Sequence, residues 1–358
     1  MAARTLRVRA IDAHVAGSVL RLVTGGLAAP EGASIREKAD SLALRHGALC
    51  DALLSEPRAP DGTTLAVLCE PVDPASDAGV LFRRRGGPAP FGGQNLIALV
   101  TIALERGLVC PREEHVVRLD TTSGSIAVAC EVEGRPPNRR VVRAAYVGPP
   151  AFVLAGGVEV TVGGRRLRAD VAHGGELFVI LDSESAGVVL TRRHLPELLR
   201  VAAAVQQAAS ATLAIPRADD DGSDGLPGVI FTGPPSAGDA QLRCQVVYAD
   251  GTAERSPSGA AVAALLGVLD AMGLATDDPL VVESMAGTSL TGRIAGPADA
   301  AALVGREVVH PPGPAAEKSG ETAGAAPLRV EVSGRAWIVA DLELLFEASD
   351  PLRDGLTW

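Results

Sequence analysis

The amino-acid sequence predicts an α/β protein of two similar domains, each a sheet or barrel wrapped around a central buried helix. Short stretches in which apolar and polar residues alternate recur along most of the chain, which indicates strands. Residues 94–106 and 260–272 have the length of helices and are apolar on nearly every face. A helix that is apolar all round is a buried one. The third observation is that these two segments resemble each other.

The two apolar segments lie in register at an offset of 166 residues (258 − 92). Each is preceded by a glycine, Gly93 or Gly259, and followed by a Gly-Leu pair, at residues 107–108 or 273–274. Each helix is therefore expected to begin at a glycine turn and to end at a glycine C-cap. A repeat of this kind predicts a structural duplication, in which two similar domains face one another across a cleft.

The remaining pattern assigns the other elements and the domain bounds. We expect one domain over residues 1–153 and 328–358 and the second over residues 154–327. The predicted helices are residues 32–54, with an apolar stripe through Leu42, Leu44 and Leu49, and residues 193–213. Strands are predicted within residues 5–24, 64–70, 78–83, 115–148, 157–182, 228–232, 242–249, 288–294, 328–333 and 336–345. A polar loop is predicted over residues 217–227 and a flexible insertion over residues 311–327.

Composition excludes several classes of protein. Of the 358 residues 47% are hydrophobic and 21% charged, which is typical of a soluble protein with a core. The net charge is -10 and there is no long basic run, so we expect no nucleic-acid partner. No apolar run is long enough to span a bilayer and the N-terminus lacks a secretory pattern, so we expect no membrane association and a cytoplasmic location. The oligomeric state stays open, a homodimer included.

The sequence also lacks the usual signatures of bound cofactors. The five cysteines show no CxxC pair or metal-like spacing, and they are expected to be buried or half-buried thiols. We find no histidine-cysteine cluster, P-loop or dinucleotide fingerprint. The expectation is therefore a protein without metal or cofactor that binds a small molecule.

The starts of the two apolar helices are candidate anion sites. A helix N-terminus presents unpaired N–H groups and the positive end of the helix dipole, and glycine lets an anion approach the backbone. Gly93, Gln94 and Asn95 at the first helix, with Gly259 and Ala260 at the second, would form a socket for a carboxylate. The alternative is that the two glycines merely shape tight turns.

Several motifs resemble those of the proline racemase family. Residues 254–259 (ERSPSG) resemble its Asp-Arg-Ser-Pro-Cys-Gly motif, and residues 91–95 (FGGQN) resemble its Met-Cys-Gly-His-Asn motif. Residues 170–175 (DVAHGG) are similar to its Asp-x-Ala-Tyr-Gly-Gly, and residues 284–288 and 350–352 also fit. The resemblance covers most of the chain and implies a fold of two diaminopimelate-epimerase-like domains, which agrees with the duplication.

The same resemblance implies a mechanism that this chain cannot follow. In the family, two thiols flank the α-carbon of a proline-like substrate, one removing the α-proton and the other returning a proton on the opposite face. Here the two thiol positions are Gly92 and Ser258, the family His is Gln94 and the family Asp is Glu254. Glycine has no acid or base, and a serine hydroxyl is a poor base without an activating partner. We therefore expect no two-thiol racemisation.

The resemblance still implies chemistry at the α-carbon of a proline- or hydroxyproline-like imino acid. The leading hypothesis is a cofactor-independent dehydratase, like those of trans-3-hydroxy-L-proline, or a one-base isomerase, with Ser258, Glu254 and His173 as catalytic candidates. Gly92 joins the substrate-binding residues. Glu254 could instead form an ordinary ion pair with Arg255 or another arginine. His173, where the family has Tyr, could line the cleft and replace the lost base. The alternatives are a non-catalytic imino-acid-binding pseudoenzyme and a repurposed enzyme with another substrate.

Overall fold

The structure is a computed structural model that describes residues 5–89, 93–212, 228–236, 238–298 and 326–356. The chain divides into two compact units, Met1–Tyr146 with Ser333–Trp358, and Val147–Val332. The bounds expected from the sequence, 153/154 and 327/328, differ from these by a few residues. The chain passes from the first unit to the second just before Pro149 and Pro150. Proline ends a strand because it has no N–H group to donate to the neighbouring strand.

The first unit contains most of its elements before the crossing and one long strand at the end of the chain. These elements are β1 (Leu6–Val15), β2 (Ser18–Gly25), α1 (Ile35–Leu53), β3 (Thr64–Cys69), β4 (Ala78–Arg84), β5 (Gly87–Pro88), α2 (Asn95–Glu105), β6 (Val116–Thr121), β7 (Gly124–Glu133) and β8 (Arg140–Val147).

The second unit follows, and the chain then returns to the first. The elements are β9 (Phe152–Val162), β10 (Arg165–His173), β11 (Leu177–Asp182), α3 (Ser183–Ala186), α4 (Leu195–Thr212), β12 (Gly228–Gly233), β13 (Leu242–Val247), α5 (Gly259–Ala271), β14 (Leu280–Ser284), β15 (Ser289–Pro297), β16 (Leu328–Gly334) and β17 (Ala336–Phe346). A short 3₁₀ helix, Arg192–His194, precedes α4.

The order of strand pairing is the same in the two units. In the first, β1 and β2 are antiparallel, β2 and β3 parallel, β3 and β4 antiparallel, β4 and β6 parallel, and β6 and β7 antiparallel. In the second, the pairs β10–β11, β11–β12, β12–β13, β13–β14 and β14–β15 repeat this succession. Helices α1 and α4 occupy equivalent crossovers, as do α2 and α5. The predicted duplication is therefore confirmed.

Helices α2 and α5 are the buried centres of their units. Every residue of α2 from Asn95 to Leu104 is buried, and the helix packs against β1, β2 and β17. Helix α5 is buried at Gly259 and from Ala261 to Val268, and it packs against β9, β10 and β15. These predominantly apolar helices are buried because strands of the same unit cover each of them on several sides.

The two central helices also end in the same way. Gly107 and Gly273 have φ angles of 66° and 69°. The next residue donates its N–H back into the last turn, from Leu108 to Ala103 O at 2.8 Å and from Leu274 to Leu269 O at 2.8 Å. This is the bond of a Schellman C-cap, which needs a left-handed residue that glycine adopts without strain.

Two expectations need correction, and two others fall on residues outside the described ones. Leu44, placed by the sequence on the apolar stripe of α1, is 88% exposed, because the buried face of α1 runs through Ile35, Leu42 and Leu53. Cys110 is exposed rather than buried. The polar loop over 217–227 lies outside the described residues, as does the insertion up to residue 325.

Among the described residues, no helix is both long and apolar enough to cross a membrane.

Candidate functional site

Ser258 lies at the start of α5 in a strained backbone conformation. It is the N-cap residue, with φ 62° and ψ 126°, and it is 2% exposed. A positive φ is uncommon for a residue with a Cβ atom, and such strain often marks functional sites. Serine is a favoured N-cap because its hydroxyl can accept a bond from the first turn, yet Ser258 makes no such capping bond. Its hydroxyl is therefore not used to cap the first turn of α5.

The contacts of Ser258 leave part of the helix start available to an anion. Its N–H donates to Ser256 Oγ at 3.1 Å, and its Oγ lies 3.5 Å from the hydroxyl of Tyr248. The first bond of α5 runs from Val262 N to Ser258 O at 2.9 Å. The N–H groups of Ala260 and Ala261 precede that bond, so they have no acceptor within the helix. Such groups favour a carboxylate.

Glu254 supports the loop that precedes the helix. Its Oε1 accepts bonds from the N–H of Arg255 at 3.1 Å, and from the N–H and Oγ of Ser256 at 3.5 and 3.4 Å. The carboxylate thus contacts the backbone of Arg255, whereas the alternative expected from the sequence was an ion pair with the side chain of Arg255 or another arginine. Glu254 is linked to Ser258 through Ser256, because Ser256 Oγ also accepts the N–H of Ser258.

His173 ends β10 and is 9% exposed. Its Nδ1 lies 2.9 Å from Pro150 O, and its ring stacks on Phe152 with centroids 5.0 Å apart. Gly175 N lies 3.4 Å from the same Nδ1, but the shorter contact to a carbonyl requires Nδ1 to carry the proton. Nε2 is then the basic nitrogen of the ring.

The next residue, Gly174, lies directly against the start of α5. A Cβ atom at Gly174 would lie 2.1 Å from Ala260 O and 2.5 Å from Ala264 N, so only glycine allows this approach. The loop that begins at His173 is therefore in contact with the first turn of α5. This contact brings His173, Ser258 and Ala260 to one end of the second unit.

The start of α2, in the first unit, is built differently. Gly93 has a φ of 47°, and Gln94 is the N-cap residue without a side-chain capping bond. Gln94 Nε2 donates to Ser18 Oγ at 3.4 Å, and Asn95 Nδ2 donates to Thr64 Oγ1 at 3.1 Å. Asn95 Oδ1 is buried and has no hydrogen-bonding partner among the described residues. Gly92 lies outside the described residues.

Two residues next to Ser258 were missed by sequence reasoning. Tyr248 follows β13 and faces the serine hydroxyl, and Cys244 in β13 directs its Sγ to Pro257 O at 3.5 Å. Neither belongs to a motif, although both lie within a few residues of one. Burial, with a smaller contribution from the nearby Glu254 carboxylate, raises the pKa of the Cys244 thiol to about 12. This thiol is therefore no substitute for a catalytic thiolate.

The model of the proline racemase family matches residues 10–357. The chain belongs to the proline racemase family. A 4-hydroxyproline 2-epimerase of Ancylobacter novellus is 30% identical over 286 residues, which cover 79% of this chain and 85% of the relative. A 4-hydroxyproline epimerase of Brucella melitensis is 29% identical over 303 residues, covering 84% and 89%.

Solved structures support the same fold. A hydroxyproline epimerase of Agrobacterium vitis, with bound trans-4-hydroxy-L-proline, gives a TM-score of 0.76 at 20% identity and covers 99% of this chain and 95% of that one. A PhzF-family protein of Enterococcus faecalis gives 0.55 at 13% identity, covering 94% and 99%. The predicted diaminopimelate-epimerase-like fold is confirmed.

Membership of the proline racemase family makes the two helix starts the candidate functional site. The family is enzymatic. The motif resemblance places its two thiols at the positions of Gly92 and Ser258, which stays a prediction for this chain. Within the second unit, the structure brings Ser258, Gly259 and Ala260 together with Glu254 and His173. The residues of the first unit, Gly93, Gln94 and Asn95, surround the start of α2. Their roles as catalytic and binding residues remain predictions.

Proposed function

We propose that this protein acts at the α-carbon of a proline- or hydroxyproline-like imino acid, without a cofactor, as a dehydratase of trans-3-hydroxy-L-proline or a one-base isomerase. The observation that carries the proposal is the start of α5. There a buried serine is held with a positive φ, and its hydroxyl does not cap the helix. Membership of an enzymatic family and the loss of both thiols support chemistry on one face of the substrate.

The carboxylate of the substrate accepts hydrogen bonds from the backbone at the helix start. The N–H groups of Ala260 and Ala261 have no acceptor within α5, and the positive end of the helix dipole favours an anion there. We assign Gly92, Gly93, Gln94, Asn95 and Gly259 to substrate binding as well. These contacts would also stabilise the negative charge that develops on the substrate when the α-proton leaves.

Dehydration requires one base and one departing hydroxyl group. The base takes the α-proton, the electron pair forms the Cα–Cβ double bond, and the β-hydroxyl leaves with a proton as water. The resulting enamine then rearranges to the cyclic imine. Among the candidates, His173 has a basic Nε2 when Nδ1 donates to Pro150 O, and Ser258 carries a proton that can be donated. Glu254 acts indirectly, because its carboxylate holds Ser256.

A non-catalytic imino-acid-binding protein is the second candidate. The observation that favours it is that both alternative bases make local structural contacts. Glu254 Oε1 accepts bonds from its own loop, and the His173 ring stacks on Phe152. Such a protein would keep the carboxylate site and lose turnover.

Incubation in D₂O tests the proposal. The purified protein is mixed with trans-3-hydroxy-L-proline, 4-hydroxyproline or proline and followed by ¹H NMR. We expect loss of the 3-hydroxyproline α-proton with formation of the cyclic imine, or solvent deuterium at the α-carbon of one substrate. Ser258→Ala should slow the reaction by about a hundredfold, a typical effect of losing one acid or base. Ser183→Ala, a buried serine of α3, is the matched control and should be as active as wild type.

The two candidate functions give different results. If none of the three imino acids exchanges its α-proton or forms a product, the enzymatic proposal fails for these substrates. Calorimetry with pyrrole-2-carboxylate, a planar analogue of deprotonated proline, then decides the second candidate. Binding without turnover supports the pseudoenzyme, and absence of binding rejects it.

A further inference from the structure

The hydroxyl groups of Tyr248 and Ser258 lie 3.5 Å apart at the start of α5. We propose that the Tyr248 phenol is a positioning residue, which orients the Ser258 hydroxyl towards the ligand bound at this helix start. This inference rests on the proposed function and goes beyond it, since it names the group that gives Ser258 a defined orientation. Tyr248 belongs to none of the motifs that identify the candidate site.

The local backbone fixes the direction of the Ser258 side chain. Its φ of 62° turns the residue away from the geometry in which an N-cap serine bonds to the first turn. Its N–H is bound to Ser256 Oγ at 3.1 Å. Within the described part of the chain, the hydroxyl that lies within hydrogen-bonding distance of Ser258 Oγ is that of Tyr248.

The other polar groups near this loop are directed elsewhere. Glu254 Oε1 bonds to Ser256 and to the backbone of Arg255. Cys244 Sγ donates to Pro257 O at 3.5 Å. Neither group therefore activates or orients the Ser258 hydroxyl directly, and that role is left to the phenol.

Tyr248 is held by the turn that follows β13. Its N–H donates to Thr252 O at 2.8 Å, and its carbonyl accepts the N–H of Gly251 at 3.0 Å. On the facing strand β12, a Cβ atom at Gly228 would lie 3.6 Å from the tyrosine ring, so the ring is packed against that strand. The turn holds the backbone of Tyr248, and the contact with β12 restrains its ring on one side.

The chemistry of the pair sets the direction of the hydrogen bond. A phenol donates a stronger hydrogen bond than an aliphatic hydroxyl, and a serine oxygen has two lone pairs that accept. Tyr248 O–H therefore donates to Ser258 Oγ, and the serine proton points away from the tyrosine, towards the ligand. A hydroxyl that accepts one bond is also a better donor of the next.

Tyrosine NMR tests the hydroxyl pair without any need for turnover. The chain contains two tyrosines, so protein labelled with ¹³C at tyrosine Cζ gives two resonances, which Tyr146→Phe assigns. We expect Ser258→Ala to shift the Tyr248 resonance and Ser183→Ala to leave it in place. Pyrrole-2-carboxylate should shift it in wild type and much less in Ser258→Ala. An unchanged Tyr248 resonance in Ser258→Ala overturns the proposal, whatever the activity.

Kinetics of Tyr248→Phe provide the second test, because this variant keeps the ring and removes the hydroxyl. We expect turnover to fall about tenfold, the upper range for one neutral hydrogen bond, while KM changes less. Unchanged kcat together with a folded, substrate-binding variant overturns the positioning role. If wild type turns over none of the imino acids, the proposed function fails, and the ligand-dependent NMR shift alone decides whether Tyr248 orients Ser258.

Discussion

The thiols of this chain are held mostly in their neutral form. Burial raises the pKa of Cys50 and Cys69 to about 11, and that of Cys130 and Cys244 to about 12. A thiol with a raised pKa stays protonated until the pH approaches that value, so these four carry almost no thiolate near neutrality. Cys110, in contrast, is exposed to solvent. None of these four thiols is therefore available as a thiolate near neutrality.

This difference predicts selective labelling. With Ellman's reagent at pH 8, the native protein should react rapidly at about one cysteine, Cys110, because Cys110 is exposed whereas burial keeps the other four thiols protonated. Cys110→Ser should remove the fast phase, and denaturation should expose all five cysteines. Raising the pH towards 11 should bring in the buried thiols as they ionise. A second fast equivalent at pH 8 in the native protein would contradict the assignment.

At the scale of residues, the sequence offered site candidates only where motifs exist. Ser258, Glu254 and the glycine turns were singled out because they occupy motif positions. The roles of neighbouring groups depend on torsion angles and on contacts between strands. The positive φ of Ser258 cannot be predicted from a sequence pattern. The contact between the hydroxyl groups of Tyr248 and Ser258 depends on how the end of β13 lies against the start of α5.

At the scale of elements, the contact between the His173 loop and α5 depends on Gly174. A Cβ atom there would meet Ala260 O at 2.1 Å and Ala264 N at 2.5 Å, both backbone atoms of the helix. Backbone atoms cannot move aside as a flexible side chain can. The loop must therefore separate from the start of α5 when any side chain is introduced.

Gly174→Ala should for this reason lower the free energy of unfolding by about 1–3 kcal/mol, the usual cost of overpacking. It should also weaken binding of pyrrole-2-carboxylate, since the helix start is displaced. Gly267→Ala in α5 is the matched control, because its Cβ would have nothing closer than 3.6 Å and alanine favours a helix. Urea unfolding and calorimetry measure both effects. A Gly174→Ala protein as stable as Gly267→Ala would refute the close approach.

The four predicted helices formed near their expected bounds, as α1, α2, α4 and α5, but the sequence placed the exposed Leu44 on the buried face of α1. The segments 94–106 and 260–272 became α2 and α5 with almost the same ends, because a glycine C-cap fixes where each stops. In α1 the buried face includes Lys38, whose Nζ donates to Glu70 O at 2.6 Å, while Leu44 faces solvent. Hydrophobicity alone cannot find a face on which a lysine is buried by a backbone partner.

At the scale of the whole molecule, the duplication explains why each unit has a core of its own. The same succession of parallel and antiparallel pairs surrounds α2 in one unit and α5 in the other. Leu99 and Leu265 occupy equivalent positions at the offset of 166, and they are 0% and 3% exposed. The sequence could reveal this repeat because the helix ends and their glycines kept their spacing, although the strands around them diverged.

Truncation of these two leucines tests the independence of the two cores. Leu99→Ala and Leu265→Ala should each cost about 2–5 kcal/mol, the range for a buried leucine. The principal strand neighbours of α2 are β1, β2 and β17, and those of α5 are β9, β10 and β15. Hydrogen exchange measured by mass spectrometry should therefore lose protection mainly in the first unit for Leu99→Ala and in the second for Leu265→Ala. Equal loss in both units from either variant would mean that the duplicated cores unfold as one, since local opening reports the cooperative unit to which a residue belongs.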